Sequence, residues 1–165
     1  GGHGFLYSGG SFTTIYVPGA LYGGANGINN SGSIVGYYVD ATGRHGFIAT
    51  PPITIDIKPG SDPNSINLKS KGVVPVAVLT TEDFDAITVD PSTVIFAGAS
   101  PIRWAMEDVD SDGDIDMLFH FDTQALDHLT DSSTQATLIG ATKDGIEIKG
   151  TDTVNIVPLA KGKEK

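Results

Sequence analysis

The stretch Glu107 to Asp116, EDVDSDGDID, sets six carboxylates and no cation in ten residues. Apolar residues alternate on both sides of it: Ile102, Trp104 and Met106 before, Met117, Phe119 and Phe121 after. Period-two alternation around a short polar segment is the pattern of two strands joined by a turn, each strand with one face in a core. The charge is the difficulty. Carboxylates ~5 Å apart at an effective dielectric of ~20 repel by roughly 3 kcal/mol per pair. A typical domain has only ~5–15 kcal/mol of stability to set against that. The segment is either a solvated acidic turn or the seat of something positive.

The spacing favours the second reading. Counted from Asp108, carboxylates fall at positions 1, 3, 5 and 9 (Asp108, Asp110, Asp112, Asp116), with Gly113 at position 6. D-x-D-x-D-G-x-x-D is the ligand spacing of a calcium loop, in which the glycine makes the sharp turn. Position 7, Asp114, is expected to coordinate through its main-chain carbonyl while its side chain faces water. The bidentate Glu that an EF-hand carries at position 12 is replaced by Phe119, and the flanks read as strands. The expectation is a Ca²⁺ loop on a β-hairpin, as in integrin-type repeats. Mg²⁺ tolerates so many carboxylates in one cage poorly. The ion is expected to be structural, because a catalytic metal keeps an open position beside a substrate site and no such context surrounds this loop.

Elsewhere the charge is unevenly placed. Residues 1–50 hold one acid, Asp40, and one base, Arg44; residues 51–165 hold nineteen acids and nine bases, the whole net charge of −10. Thirteen of the twenty-one glycines and all five tyrosines (Tyr7, Tyr16, Tyr22, Tyr37, Tyr38) precede residue 51. A boundary at Ala49–Pro52, ATPP, divides two different regions, 1–50 and 51–165. A chain this acidic suits neither nucleic acid nor anionic lipid, which require a basic face. No run approaches the ~18 apolar residues of a membrane span. Cysteine is absent, which removes disulfides, thiolate metal sites and Cys nucleophiles.

The first region repeats itself. His3-Gly4-Phe5-Leu6 returns 42 residues later as His45-Gly46-Phe47-Ile48. Between them lie SFTTIYVP, the turn GINNSGS (Gly27 to Ser33), IVGYYVD and the turn ATGR. Four short strands on a period near 40 residues describe one propeller-blade-like four-stranded unit. HGFLYSGGSFTTIYVPGA and GINNSGSIVGYYVDATGRHGF resemble the bacterial extracellular HAF repeat over residues 3–48. Such repeats usually come in series, whereas this chain holds one and the start of a second. The resemblance implies an extracellular or cell-surface protein, and the GGHGF start is read as that of a mature or trimmed secreted product with its signal peptide removed. A single blade cannot bury both its faces, so the expected partner is another copy. The contact would run through the N-terminal region, head-to-tail, toward a homo-oligomer or filament.

The second region is again strand-like: ITIDIK and SINLKS alternate, and VVPVAVLT is a more continuous apolar run, as in a buried strand. ITIDIK, SINLKS, VVPVAVLT, VIFAG, IRWAME, MLFHFD, ATLIGAT, IEIKG and TVNIVP are nine short strand candidates. Pro75 hints at an edge or bulge, and TEDF at an N-cap and one helical turn. The region is expected to be an antiparallel β-sandwich, Ig-like or jelly-roll, so the whole chain is all-β. IDIKPGSDPNSINLKSKGVVPVAVLTTEDFD with EDVDSDGDIDMLFHF resembles a module found at the ends of secreted bacterial proteins, to which no activity attaches.

The remaining candidates carry little chemistry. His3 and His45 belong to a repeated motif, which is itself a structural explanation. His120 lies near Asp116 and Asp122 and suggests a His–Asp hydrogen bond. Glu147 and Asp152 are two isolated acids. No nucleophile motif appears, so no catalytic residue and no enzyme is expected. The tyrosines suit either blade packing and inter-chain contact or a glycan-stacking surface. Two readings follow: a calcium-stabilised structural protein that self-assembles, or a carbohydrate-binding or adhesion accessory module of a larger secreted protein.

Overall fold

The computed structural model describes residues 2–8, 10–29, 32–50 and 52–157. The chain is all-β; its helical pieces among these residues are three 3₁₀ turns of three residues each. It divides into two compact units, Gly1–Pro51 and Pro52–Lys165. The turn expected over Gly27–Ser33 and the boundary at Ala49–Pro52 both include residues outside the described set.

In the first unit β1 (Gly4–Ser8) and β2 (Ser11–Ile15) form a hairpin. β3 (Tyr22–Ile28), β4 (Ile34–Asp40) and β5 (Gly43–Ala49) form an antiparallel meander. The four strands expected from the sequence are β1, β2, β4 and β5. β3, YGGANGI, is a fifth, so the unit carries two sheets of two and three strands. Two of its glycines are steric requirements: a Cβ at Gly23 would sit 2.5 Å from the Tyr37 carbonyl oxygen. A Cβ at Gly36 would sit 2.3 Å from the Gly24 carbonyl oxygen and 2.6 Å from the Phe47 ring. Among the described residues of this unit, Ile34 alone is a buried apolar side chain.

The second unit holds β6 (Ile55–Ile57), β7 (Ser65–Ile66), β8 (Val73–Val78), β9 (Ile95–Phe96) and β10 (Arg103–Glu107). β11 (Asp116–Asp122), β12 (Gln135–Ala141), β13 (Glu147–Thr153) and β14 (Asn155–Ile156) complete it. One sheet runs β10-β11-β8-β6 and the other β13-β12-β9, all antiparallel, with a short parallel pair of β14 and β7. Inward residues of both sheets, among them Ile57, Val76, Val78, Phe96, Met117, Phe119, Phe121 and Leu138, make one continuous core. The first strand bridges the two sheets. The Ile53 amide donates to the Lys149 carbonyl at 3.1 Å, while Ile55–Ile57 pair with β8. Gly150 makes that crossing possible, since a Cβ there would lie 2.5 Å from Ile55 Cγ2.

Two local expectations are refined. Pro75 sits inside β8, paired with β11 on one side, while on the other the β6 ladder stops at Ile57 opposite Val76, so Pro75 meets a local edge. The Lys58 amide donates to its carbonyl at 2.8 Å, so the missing Pro N–H also faces the β6 side, where β6 has ended at Ile57. Thr81–Phe84 closes as a tight turn bridged at both ends, with Phe84 buried. The helical turn comes later, at Ala86–Thr88, where Asp85 Oδ1 accepts from the Ile87 amide.

Candidate metal centre

β10 and β11 pair directly, Glu107 opposite Asp116 and Trp104 opposite Phe119. The acidic stretch is therefore the loop of a β-hairpin, and its alternating flanks are the strands that hold it. Gly113 takes a φ of +100° and Ser111 one of +67°; the glycine adopts its value without steric cost. Within the loop three aspartates fold the chain back on itself. Asp108 Oδ2 accepts from the Gly113 amide at 3.2 Å, Asp110 Oδ1 from the Asp112 amide at 3.2 Å, and Asp112 Oδ1 from the Asp114 amide at 2.9 Å.

Carboxylate oxygens of Asp108, Asp110 and Asp116 all lie within 4.8 Å of one another. Asp116 anchors them. It is buried at 1% exposure, where an aspartate is rarely found without partners. Its Oδ1 accepts from the Thr80 amide at 2.8 Å and its Oδ2 from the Val109 amide at 2.9 Å. Thr80 also donates its hydroxyl to the Ile115 carbonyl at 2.6 Å. The segment just after β8 thus clamps the loop from outside the hairpin. Thr80 carries no signal in the sequence, being 36 residues from Asp116 and at the end of an apolar run.

Of the five residues singled out from spacing, three converge. The Asp112 carboxylate stands outside that group and accepts from the Asp114 amide. Asp114 is exposed, and its expected contribution is its carbonyl.

The electrostatics are those of crowded like charges. The Asp110 carboxyl is pushed above the ordinary range, first by lost hydration, then by Asp112, Asp116 and Asp108, against the Asp112 amide that pulls it down. Asp56 on β6 is pushed up as well, by lost hydration, then by Asp152 and by Asp110. Among the described residues the ion pairs are His45–Asp40 and His128–Asp127; neither touches the loop. The unit's described cations are engaged elsewhere in part: Lys58 Nζ donates to the Ser65 carbonyl and Lys143 Nζ to the Ile87 carbonyl. The donor set is entirely oxygen, and each Asp116 oxygen keeps a lone pair after its amide bond. Such a set could hold a hard cation that takes oxygen ligands.

The other candidates make the following contacts. His45 Nε2 lies 3.1 Å from Asp40 Oδ1 and 3.0 Å from Thr42 Oγ1, and its ring stacks on Tyr38 at 4.9 Å. His3 meets Tyr16 edge-on at 5.9 Å. The expected His120–Asp bond is not made: Asp116 turns to the Thr80 and Val109 amides, and Asp122 accepts from the Gln124 amide. His120 Nδ1 is buried without a partner, and lost hydration followed by the Arg103 charge pushes its pKa down, against Glu107. Asp152 Oδ2 accepts from the Ile57 amide and from Asn64 Nδ2, both at 3.0 Å, which ties β6 to β13. No family model, curated protein or solved structure matches this chain.

Proposed function

We propose that the protein is a non-catalytic, calcium-stabilised β module of the extracellular or cell-surface space, whose N-terminal unit joins copies of the chain to one another. The observation that carries the calcium assignment is the convergence of the Asp108, Asp110 and Asp116 oxygens within 4.8 Å on a hairpin loop to which no described Lys or Arg is paired. A divalent cation there turns the loop's repulsion into attraction and locks β10, β11 and the end of β8 together. The D-x-D-x-D-G-x-x-D spacing and the resemblance to secreted bacterial modules support the same reading. Calorimetric titration of the chelated protein tests it. One Ca²⁺ site is expected, abolished in Asp110→Ala, weakened in Asp112→Ala and retained in Asp114→Ala, which keeps its carbonyl. Undiminished binding by Asp110→Ala overturns the assignment.

Self-association rests on the first unit's exposed apolar surface. Phe5, Tyr7, Phe12, Tyr16, Leu21, Tyr22, Ile28, Val35 and Ile48 are all exposed. Phe12 packs on Phe5 at 5.4 Å and on Tyr7 at 4.6 Å, forming an aromatic strip along the β1–β2 hairpin. Exposed strand edges and apolar faces of this kind favour joining another chain. Deleting residues 1–10 is expected to abolish association through this region while leaving calcium binding intact. If the full-length chain stays monomeric through this region at high concentration with calcium, the aromatic strip is instead a surface for stacking on sugar rings, the accessory-module reading.

A further inference from the structure

β10 is the outermost strand of the four-stranded sheet, paired with β11 along one edge only. Among the described residues, none from Arg103 to Glu107 has a backbone hydrogen bond outside that ladder. In an antiparallel ladder directly opposed residues share a face. Trp104 stands opposite Phe119, and Met106 opposite Met117, so both belong to the core face. Phe119 is 0% exposed and Met117 1%, yet Trp104 is 47% exposed and Met106 52%. The opposing sheet has three strands against four, and β10's core side is left open.

The strand is complementary to itself. Read antiparallel about Ala105, RWAME places Arg103 opposite the partner's Glu107, Trp104 opposite the partner's Met106, and Ala105 opposite the partner's Ala105. Every pair is favourable: opposite charges on the outer face, an aromatic against a thioether on the core face, two small residues on the axis. A parallel arrangement would instead set Arg103 against Arg103 and Glu107 against Glu107. A two-residue slip would put Trp104 opposite Asp108 or Glu107 opposite Pro101. The twofold register on Ala105 alone satisfies both faces.

We propose that two copies of the chain join through β10 in this register, making one eight-stranded sheet with the Trp104–Met106 faces covered. The contact is isologous, and so distinct from the head-to-tail contact assigned to the first unit. The overall negative charge does not forbid it. Antiparallel pairing sends the two acidic loops to opposite ends of a five-residue strand, roughly 17 Å apart at ~3.4 Å per residue. That exceeds the Debye length of ~8 Å at physiological ionic strength. Each loop then lies beside the partner's Arg103.

Trp104 is the only tryptophan in the chain, so its emission reports this strand alone. Sedimentation velocity and Trp104 emission are measured on the full chain over a wide concentration range at saturating calcium. Dissociation on dilution with a matching red shift of emission is expected. Arg103→Glu and Glu107→Arg should each weaken association by tenfold or more. The double variant R103E/E107R should restore it, because an isologous contact exchanges both charges at once. The overturning results are a double variant no better than the singles, or Trp104 emission already blue-shifted in a chain that sediments as a monomer. Removing residues 1–10 should leave the Trp104 response unchanged, so failure of the N-terminal contact and failure of this one are read separately.

Discussion

The two units of this chain solve the same problem, how to make strands stay together, by different means. Among the described residues the sandwich buries twenty-four apolar side chains; the N-terminal unit buries one, Ile34, and exposes nine large ones. The sandwich's strands are held by what lies between its sheets. The N-terminal strands are held by ladders, turns and close backbone approach: glycines pressed on carbonyls at Gly23 and Gly36, and an Asp40 side chain that binds its own turn. Two- and three-stranded sheets without a buried face are marginal in water. A core makes a unit self-sufficient, whereas a ladder without a core makes it dependent on whatever covers it.

Core truncation should separate the units most sharply. Phe119 is fully buried among Phe121 and the facing sheet, and Phe119→Ala should cost the sandwich about 3–5 kcal/mol. Phe12→Ala, at 71% exposure, should change monomer stability by no more than about 0.5 kcal/mol. Denaturant titration at low protein concentration checks both. Equal losses would mean that the N-terminal unit has a hidden core.

Calcium should act on one unit only. An ion that binds the folded state alone contributes RT ln(1 + [L]/Kd), about 3 kcal/mol at a hundredfold excess over Kd. Excess EGTA should therefore lower the sandwich's melting temperature by several degrees and raise amide exchange in β10 and β11. Exchange in β3, β4 and β5 should not respond. A melting curve indifferent to EGTA removes the structural role of the ion.

How far the sequence announces all this depends on the same contrast. Each of the nine strands of the second region is found where an apolar pattern puts it, because a core imposes period two on Asp116–Asp122 and a continuous apolar run on Val73–Val78. β3 is missed because YGGANGI is shaped by backbone proximity, which leaves glycines and no periodicity. In the acidic loop the spacing of aspartates is visible, but the difference between them is not. Asp116 is anchored by Thr80, which is remote in sequence, and Asp112 is turned aside by a bond to the Asp114 amide. Local spacing can nominate ligands; tertiary contacts decide which oxygens meet.

A smaller effect tests the proximity rule directly. Gly36→Ala places a methyl against the Gly24 carbonyl and the Phe47 ring, and overpacking of this kind costs about 1–3 kcal/mol. Exchange protection should fall across β3, β4 and β5, while Trp104 emission and calcium binding stay as in the parent. Unchanged protection would show that the strands can separate enough to admit a side chain.

The smallest effect has opposite signs in the two units. Asp40 is held at about 2, first by the Thr42 hydroxyl and then by the Thr42 amide, against some loss of hydration, with His45 adding to the fall. A carboxylate depressed on folding contributes stability that is present above its ordinary value of 3.8 and is lost as pH falls through about 2. Asp56 is raised, by lost hydration and then by Asp152 and Asp110. Its ionised form opposes folding, so its contribution is present below 3.8 and disappears as pH rises through the raised value. Acidification from neutrality toward pH ~4 should therefore relieve the metal-free sandwich at Asp56 while leaving the Asp40 turn intact; further acidification toward pH ~2 should loosen that turn. Carboxyl ¹³C shifts followed by NMR in EGTA give both titrations, and amide exchange gives both stabilities. Asp56→Asn should remove the sandwich's gain, and Asp40→Asn the turn's loss, each without touching the other unit. If Asp56 titrates below 3.8, its lost hydration and the neighbouring Asp152 charge are already compensated within the protein, and the sandwich gains nothing at this site on acidification.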